Sequence, residues 1–405
     1  MVLVRHSATR AAGLCHRPHM EYRPELDGVR AVAVLAVVAF HSYLQLGQGG
    51  WLGVDVFFVL SGYLITAILL SEQARSGTVQ LRRFYVRRLL RLYPALVVTL
   101  AIGAVFFTVL GDGGTGVGYL RTAGAAGTYI ENLVFGFGSG ELGRFGHTWS
   151  LAVEMQFYLL WPPLVVWLLA RKADLLPWVL SGIVISYVLL VVESGPRDLQ
   201  LPLGYYMPWT RAFELLIGAL IAVRATRSST PTNSWLAKRW VGWSIVGALG
   251  VVFLLAATYS ILLVNYVLAW EAPLAAILTA LLITHLNAVG ATGVGAVLAW
   301  KPLASIGKIS YGIYLVHYPA LWVLRDHGLS TKHASLGFLL VRATSSESSN
   351  RRQLSRSSDR CCSGSRRLRR LERPSRPRPP CPRRAGRRPS CYRHHRRPSA
   401  HRRSC

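Results

Sequence analysis

The chain has 405 residues, of which 52% are hydrophobic and only 16% charged. Soluble domains carry about 25% charged residues, so a water-soluble globule is excluded and a bilayer is the solvent that can absorb this sequence. The formal net charge of +28 is uneven: residues 342–405 hold 21 Arg against Glu347, Asp359 and Glu372, a share of +18, which leaves +10 for the other 341 residues.

Residues 1–27 read as a basic leader, with Arg5, Arg10, Arg17 and Arg23 and no apolar core before Val29. No cleavable signal peptide is expected there. From residue 28 onward, apolar runs near the ~20 residues of a membrane span recur between polar breaks. The expected spans are Val29–Leu46, Leu52–Leu70, Pro94–Leu110, Trp149–Ala170, Leu175–Val192, Arg211–Val223, Val241–Tyr259, Pro273–Leu286 and Ile309–Leu324. Glu271 and Pro273 blur the start of the eighth. A tenth begins at Ser335 with SLGFLLV and stops after about seven apolar residues, far short of a crossing. The fold class expected is all-α: a polytopic transmembrane helix bundle over residues 28–341, with about nine complete spans and a truncated tenth.

Basic residues alternate between loops. The leader, the second-to-third loop (Arg75 to Arg91), Arg171 with Lys172, the stretch Arg224 to Arg239, and Lys301 with Lys308 form one set. The other set is poor: Arg121 and Arg144 in the Gly-rich 111–147 loop, then Arg197, then Lys332. Because cytoplasmic loops collect Lys and Arg, the N-terminus is expected in the cytoplasm, with the chain multi-pass in the cell's inner (plasma) membrane.

An ionisable residue within a span is costly and is a functional hypothesis by default. In the first span Arg30 and His41 are eleven residues apart, about 16 Å along a helix and close to three turns, hence on one side. A His bonded to a neighbouring helix is the plainer reading. In the second span, Asp55 sits near the outer end and Ser61 at mid-span beside Gly62. Small residues there suit close helix packing, and Ser61 is not read as a nucleophile. The loop LRRFYVRRLLRLYP places Arg82, Arg83, Arg87, Arg88 and Arg91 on a short amphipathic helix before Pro94. Such a cluster can serve topology and anionic lipid, or clamp phosphate through guanidinium forks. Trp149 and Ser150 open the fourth span, and Glu154 points inward a turn later. With that span reversed relative to the first, Glu154 and His41 are expected at similar depth, where a carboxylate would fix the imidazole's tautomer. Arg211 and Glu214 stand three apart, a structural pair first and an acceptor-site pair second. Tyr311, Tyr314 and His317 form a polar stripe that fits a wet cavity or plain helix packing. No metal-ligand spacing is present, and no metal is expected.

Six segments carry a resemblance, in order: RPELDGVRAVAVLAVVAFH, GVDVFFVLSGYLIT, RRFYVRRLLRLYP, TWSLAVEMQFYLLWP, TRAFELLIGAL and GKISYGIYLVHYP. Over about residues 22–341 the chain resembles acyltransferase family 3, the integral-membrane O-acyltransferases. The resemblance implies transfer of an acyl group, often acetyl, from acyl-coenzyme A to a hydroxyl of a cell-envelope glycan, lipid or metabolite. It implies that Arg30 and His41 form the active-site signature, that Arg88 and Arg91 face the coenzyme A phosphates, and that Glu154 is the motif carboxylate. On this basis His41 and Glu154 are the candidate catalytic residues and Arg30, Arg88 and Arg91 the donor-binding ones. Asp55, Ser61, Trp149, Arg211 and Glu214 are the candidate substrate-binding residues. No permanently bound cofactor is implied; acyl-coenzyme A is a substrate. The partners expected are the envelope carbohydrate or lipid acceptor and membrane lipids, with no nucleic acid. The alternative class is a transporter or flippase for an envelope glycan or lipid, since polar residues inside spans suit that too. The arginine loop argues against it, because transport does not require a phosphate clamp.

The pattern departs at its end. The tenth span is cut short, and no extracytoplasmic hydrolase-like domain is read after it. Residues 342–405 replace aliphatic residues with Arg, Ser, Pro and Cys without any period, and five of the six Cys lie there, leaving Cys15 in the body. Such a segment is expected to be disordered. A tail for nucleic acid or anionic lipid, and a natural disordered tail, both fit its charge. A reading frame shifted near Arg342 fits better, because the switch falls inside an incipient span and the composition is that of GC-rich DNA read out of frame. Translating the gene in its other two frames tests this. An uninterrupted apolar run after SLGFLLV is the expected outcome, and polar sequence in both frames rejects the shift.

Overall fold

The computed structural model describes residues 22–42, 45–109, 116–137, 143, 145–194, 203–227, 235–259 and 264–326. Most of the leader, the incipient tenth span, the 342–405 tail, and Arg144, Arg197 and Lys332 lie outside these residues. Among the described residues every element is helical. Helix α1 (Pro24–His41) leads through a 3-10 helix (Gln45–Leu52) to α2 (Gly53–Ser76) and α3 (Leu81–Val109). Short helices α4 (Gly116–Gly127) and α5 (Glu131–Phe137) and a 3-10 turn (Gly146–Thr148) precede α6 (Trp149–Ala170) and α7 (Leu175–Glu193). Next come α8 (Leu203–Tyr206), α9 (Pro208–Arg227), α10 (Arg239–Tyr259) and α11 (Val264–Val289). The series ends with α12 (Val294–Leu298), α13 (Lys301–Lys308) and α14 (Ser310–Asp326).

Local chemistry sets several of these boundaries. Pro24 opens α1, where its missing N–H costs nothing. Asp174 caps α7 by accepting from the Leu176 amide at 2.8 Å. Gly77 ends α2 in the left-handed region at φ +71°. Inside α6, Pro163 has no N–H to give the Leu159 carbonyl one turn back. The Tyr85 hydroxyl from α3 donates to that carbonyl at 3.0 Å. A neighbouring helix thus satisfies the group that the proline frees, which is how prolines are tolerated inside membrane helices.

Seven of the described helical segments are long and apolar enough to cross a membrane. They fall on α2, α3, α6, α7, α9, α10 and α11, so the chain is a multi-pass membrane protein. The expected first and ninth spans are present as helices but are not among the seven. Helix α1 carries Glu25, Asp27 and Arg30 near its start, and α14 is 17 residues long. The first helix also begins earlier and ends sooner than Val29–Leu46. The third differs in another way: the arginine segment is not a separate short helix before Pro94, because α3 runs unbroken through that proline. Likewise α11 runs through Glu271 and Pro273, where the sequence suggested a late start.

The most apolar 18-residue stretches of α2 and α9 are each 72% buried, against 17% in α3 and 22% in α7. The first pair is therefore the centre of the bundle and the second its lipid-facing flank. On that flank Val98, Ile102, Val184 and Val188 are exposed, as expected where the solvent is hydrocarbon. Between helices in lipid no hydrophobic gain drives association, so close packing must do it. At the centre this packing is reciprocal. A Cβ at Gly62 of α2 would collide with the Leu215 backbone of α9, and one at Gly218 of α9 with the Val59 carbonyl of α2.

The close approach of α2 and α9 encloses an ion cluster. Asp55, Arg211 and Glu214 have no exposed surface. Arg211 meets Asp55 at 2.7 Å and Glu214 at 3.2 Å. Its guanidinium also faces the rings of Tyr205, Phe58 and Trp149 at 5.3–5.9 Å. The cluster is sealed, and this differs from the expectation that Asp55, Trp149, Arg211 and Glu214 contact substrate. The reason is the α2–α9 contact, which brings Asp55 onto the i, i+3 pair that the sequence already suggested.

Two stability predictions follow from this packing. Gly62→Ala should destabilise the protein by about 1–3 kcal/mol, the usual cost of overpacking. Gly247→Ala should not, since a Cβ there meets nothing within 4 Å; equal melting temperatures for the two in detergent would reject the account. Arg211→Leu, which strands two buried carboxylates, should cost about 3–5 kcal/mol. Adding Asp55→Asn and Glu214→Gln should restore much of that loss. Wild-type melting by Arg211→Leu would show the cluster to be unimportant for stability.

Candidate active site

A cleft lies between α1, α2, α3, α6, α14 and the end of α13. Four cationic residues line it: Arg30 from α1, Arg88 and Arg91 from α3, and Lys308 from the end of α13. Arg88 and Arg91 arrive together because they are three apart on one helix face. Arg88 lies over the Tyr158 ring at 5.4 Å and the Phe84 ring at 5.7 Å, which holds its guanidinium in place. Arg30 pairs with Asp27 at 3.1 Å, and the other oxygen of Asp27 accepts from Tyr22 at 2.9 Å. Lys308 stands 4.9 Å from the Tyr22 ring. Arg82, Arg83 and Arg87 are exposed and do not line the cleft.

The carboxylate lining this cleft is Glu154. Ser61 and Tyr158 both donate to its Oε1. Four cations against Glu154 and the Asp27 that pairs with Arg30 leave a surplus of positive charge in a concave, partly desolvated space. An anion bound there would gain from all four, because a low-dielectric wall focuses the field.

His41 does not line the cleft. It is the last residue of α1 and belongs to a second cluster at that end of the helix. Its Nδ1 is 3.0 Å from the Val37 carbonyl and 3.2 Å from Nε2 of His317. His147 packs against His317 with ring centroids 5.1 Å apart, and Tyr318 lies 4.9 Å from His41 and 5.1 Å from His147. His147 and His317 are buried. No group of three or more metal-type ligands is found among the described residues.

Tyr314 joins the two clusters. It lines the cleft, its hydroxyl donates to the His147 carbonyl at 2.9 Å, and that hydroxyl is 2.6 Å from Ser150 Oγ. Its ring packs on both His147 and His317.

The structure thus brings Arg30, Arg88, Arg91, Ser61 and Glu154 together, and sets His41 in a separate cluster linked to them through His317 and Tyr314. The expected contact of Glu154 with His41 is not formed. Glu154 lies one turn into α6 and meets Ser61 at mid-α2, whereas His41 ends α1 and meets α14. Sequence reasoning missed His147 as a functional candidate, read Lys308 for topology only, and passed over Tyr158. Tyr158 was within reach of it: it stands four residues after Glu154 on one helix face. His147, in a one-turn 3-10 helix, has no periodicity to announce it.

Comparison with known proteins identifies the family. The family model described as "Acyltransferase domain" matches residues 23–343. Peptidoglycan O-acetyltransferase OatA of Listeria monocytogenes is 34% identical over 330 residues, covering 74% of this chain and 50% of that protein. O-acetyltransferase OatA of Staphylococcus aureus is 31% identical over 318 residues, covering 74% of this chain and 51% of that protein. The chain therefore spans about half the length of the curated relatives it matches. No solved structure matches. With the family model covering nearly all of the helical body, the chain belongs to acyltransferase family 3, a family of membrane acyltransferases.

Proposed function

We propose that the protein transfers an acetyl group from acetyl-coenzyme A, taken up at the cytoplasmic face, to a hydroxyl of a cell-envelope glycan at the outer face. The observation that carries this reading is the pairing of a four-cation cleft with a histidine cluster across one tyrosine. The names of the relatives favour peptidoglycan as the glycan. The alternation of basic loops favours an N-terminus in the cytoplasm, which would open the arginine cleft to that side. In this reading α1 and α14 also cross the bilayer, bringing the count to nine. Their polar residues are tolerated because they face protein: α1 is enclosed by α2, α12, α13 and α14.

The roles follow from the chemistry. Arg88 and Arg91, with Arg30 and Lys308, hold the phosphates of the donor by charge-assisted hydrogen bonds. Glu154, held by Ser61 and Tyr158, orients the walls of the cleft. His41 takes the proton of the acceptor hydroxyl as general base. The acceptor oxygen then attacks the thioester carbonyl, the C–S bond breaks, and coenzyme A leaves as the thiolate. An acyl-imidazole on His41 is the covalent variant of the same step. For the thioester to reach His41, the donor's acyl end must pass the contact between Tyr314 and Ser150.

The test is acetyl transfer by the purified chain in nanodiscs with a glycan acceptor. His41→Ala should abolish transfer while the protein remains inserted. Removing a general base typically costs about 10²–10⁴ in rate, and normal transfer by this variant would remove His41 from the mechanism. Arg88→Ala with Arg91→Ala should raise KM for acetyl-coenzyme A by roughly 10- to 100-fold, at about 1.4 kcal/mol per tenfold. The same variant should leave KM for acetyl-pantetheine, which lacks the nucleotide phosphates, unchanged. An equal rise for both donors would show that the arginines do not read phosphate.

A further inference from the structure

The three histidines at the end of α1 are each tethered to a backbone carbonyl, and the tethers determine where their protons sit. A carbonyl only accepts, so a ring nitrogen facing one must carry hydrogen. His317 Nδ1 is 2.6 Å from the Tyr314 carbonyl, one turn back on α14. Its single proton in the neutral ring is therefore on Nδ1, and its Nε2 is a bare acceptor. That acceptor faces His41 Nδ1 at 3.2 Å, and the Val37 carbonyl faces the same nitrogen at 3.0 Å. Two acceptors converge on His41 Nδ1, so it too carries the proton, and the lone pair of His41 is on Nε2. His147 follows the same rule with the opposite tautomer: its Nε2 faces the Leu315 carbonyl at 3.2 Å, and its buried Nδ1 has no hydrogen-bond partner.

Neutral rings are the consistent choice for this cluster. The groups facing His41 are His317 and Tyr318 from α14 and Phe40 from its own helix. Those facing His317 are His41, His147, Tyr314 and Tyr318. No carboxylate hydrogen-bonds any of the three rings among the described residues.

We infer that His317 is a positioning residue for His41: it accepts the Nδ1 hydrogen of His41 and so presents His41 Nε2 as the basic atom of the site. The inference rests on the reading of His41 as general base. It gives to His317 the role that the sequence had led one to expect of Glu154. When the acceptor O–H proton passes to His41 Nε2, the ring becomes an imidazolium. Its Nδ1–H bond to His317 Nε2 then becomes charge-assisted and stronger, with no proton moving between the rings. Stabilisation is thus greater after proton transfer than before it, which is the condition for a contribution to rate.

The geometry of glutamine and asparagine separates this role from mere packing. The amide oxygen of Gln reaches the place of an imidazole Nε2 and can accept from His41. That of Asn reaches only the place of Nδ1. His317→Ala and His317→Asn should each lower kcat by roughly 10- to 100-fold, a loss no larger than that of the base itself. KM for acetyl-coenzyme A should stay unchanged, because His317 does not line the cleft. His317→Gln should recover most of kcat. If Gln and Asn variants are equally impaired, or the Ala variant turns over like wild type, the positioning role is overturned.

A measurement on the unmutated chain guards against variants that fail to fold. Nitrogen NMR of the 15N-histidine-labelled protein in nanodiscs should show His41 and His317 both protonated on Nδ1. A His41 ring protonated on Nε2 alone would overturn the inference. The two readings fail separately. An inactive His41→Ala with a fully active His317→Ala removes the positioning role and leaves the base. A fully active His41→Ala removes the base, and the positioning role with it.

Discussion

A bilayer offers no water to a polar atom, so a polar group inside this bundle is stabilised where another part of the chain satisfies it. Several contacts between helices answer that demand. The Leu159 carbonyl, freed by Pro163, receives the hydroxyl of Tyr85, and so α3 is tied to α6. Thr66 receives the indole N–H of Trp161 at 2.9 Å, tying α6 to α2. Asp55 and Arg211 neutralise each other between α2 and α9, where glycines allow the two backbones to touch. The helices are thus held together by a few polar contacts, and between α2 and α9 small residues let the ion pair form.

The same constraint explains why the polar groups of the site divide as they do. Charged groups that can reach an aqueous opening line the cleft: Arg91 and Lys308 are exposed and Arg30 and Arg88 half-buried. His147 and His317, which can be neutral, are buried, and each of the three imidazoles is tied to a carbonyl. A carboxylate in place of His317 would have put an ionised partner at a buried position, where an uncompensated charge is costly. A second imidazole avoids that cost and still accepts a hydrogen bond. The pairing of His41 with His317 rather than with Glu154 is therefore what burial favours. Glu154 instead sits where two hydroxyl donors and the cationic cleft offset its charge.

What was legible in the sequence was what depends on one helix at a time. Trp149–Ala170 coincides with α6 because apolar length and flanking polar residues define it without reference to neighbours. The Arg211–Glu214 pair and the shared face of Arg88 and Arg91 follow from helical spacing. What was not legible depends on register between helices. Whether Glu154 meets His41 or Ser61 is decided by how far α6 slides along α2, and no residue spacing encodes that slide. Proline misled for a related reason. Pro94 and Pro273 suggested helix boundaries, yet α3 and α11 run through them, because in a membrane the alternative to a kinked helix is unsatisfied backbone in hydrocarbon.

Tyr314 is where these two kinds of information meet. The sequence presents it as one member of a stripe with Tyr311 and His317, all on one face of α14. In the fold that single face does three things. Tyr311 donates to the Leu92 carbonyl of α3 at 3.0 Å and so fixes α14 against the arginine helix. The Tyr314 hydroxyl reaches the His147 carbonyl and Ser150 and closes the inner end of the cleft. Its own carbonyl sets the tautomer of His317, and His317 Nε2 together with the Val37 carbonyl sets that of His41. A movement of α14 that released the Tyr314 hydroxyl would open the way between the clusters while leaving the His317 tether intact, because that tether lies within the helix. The bond from His41 to His317, by contrast, runs from α1 to α14, so the position of α14 governs both the closure of the cleft by the Tyr314 hydroxyl and the pairing of the two imidazoles.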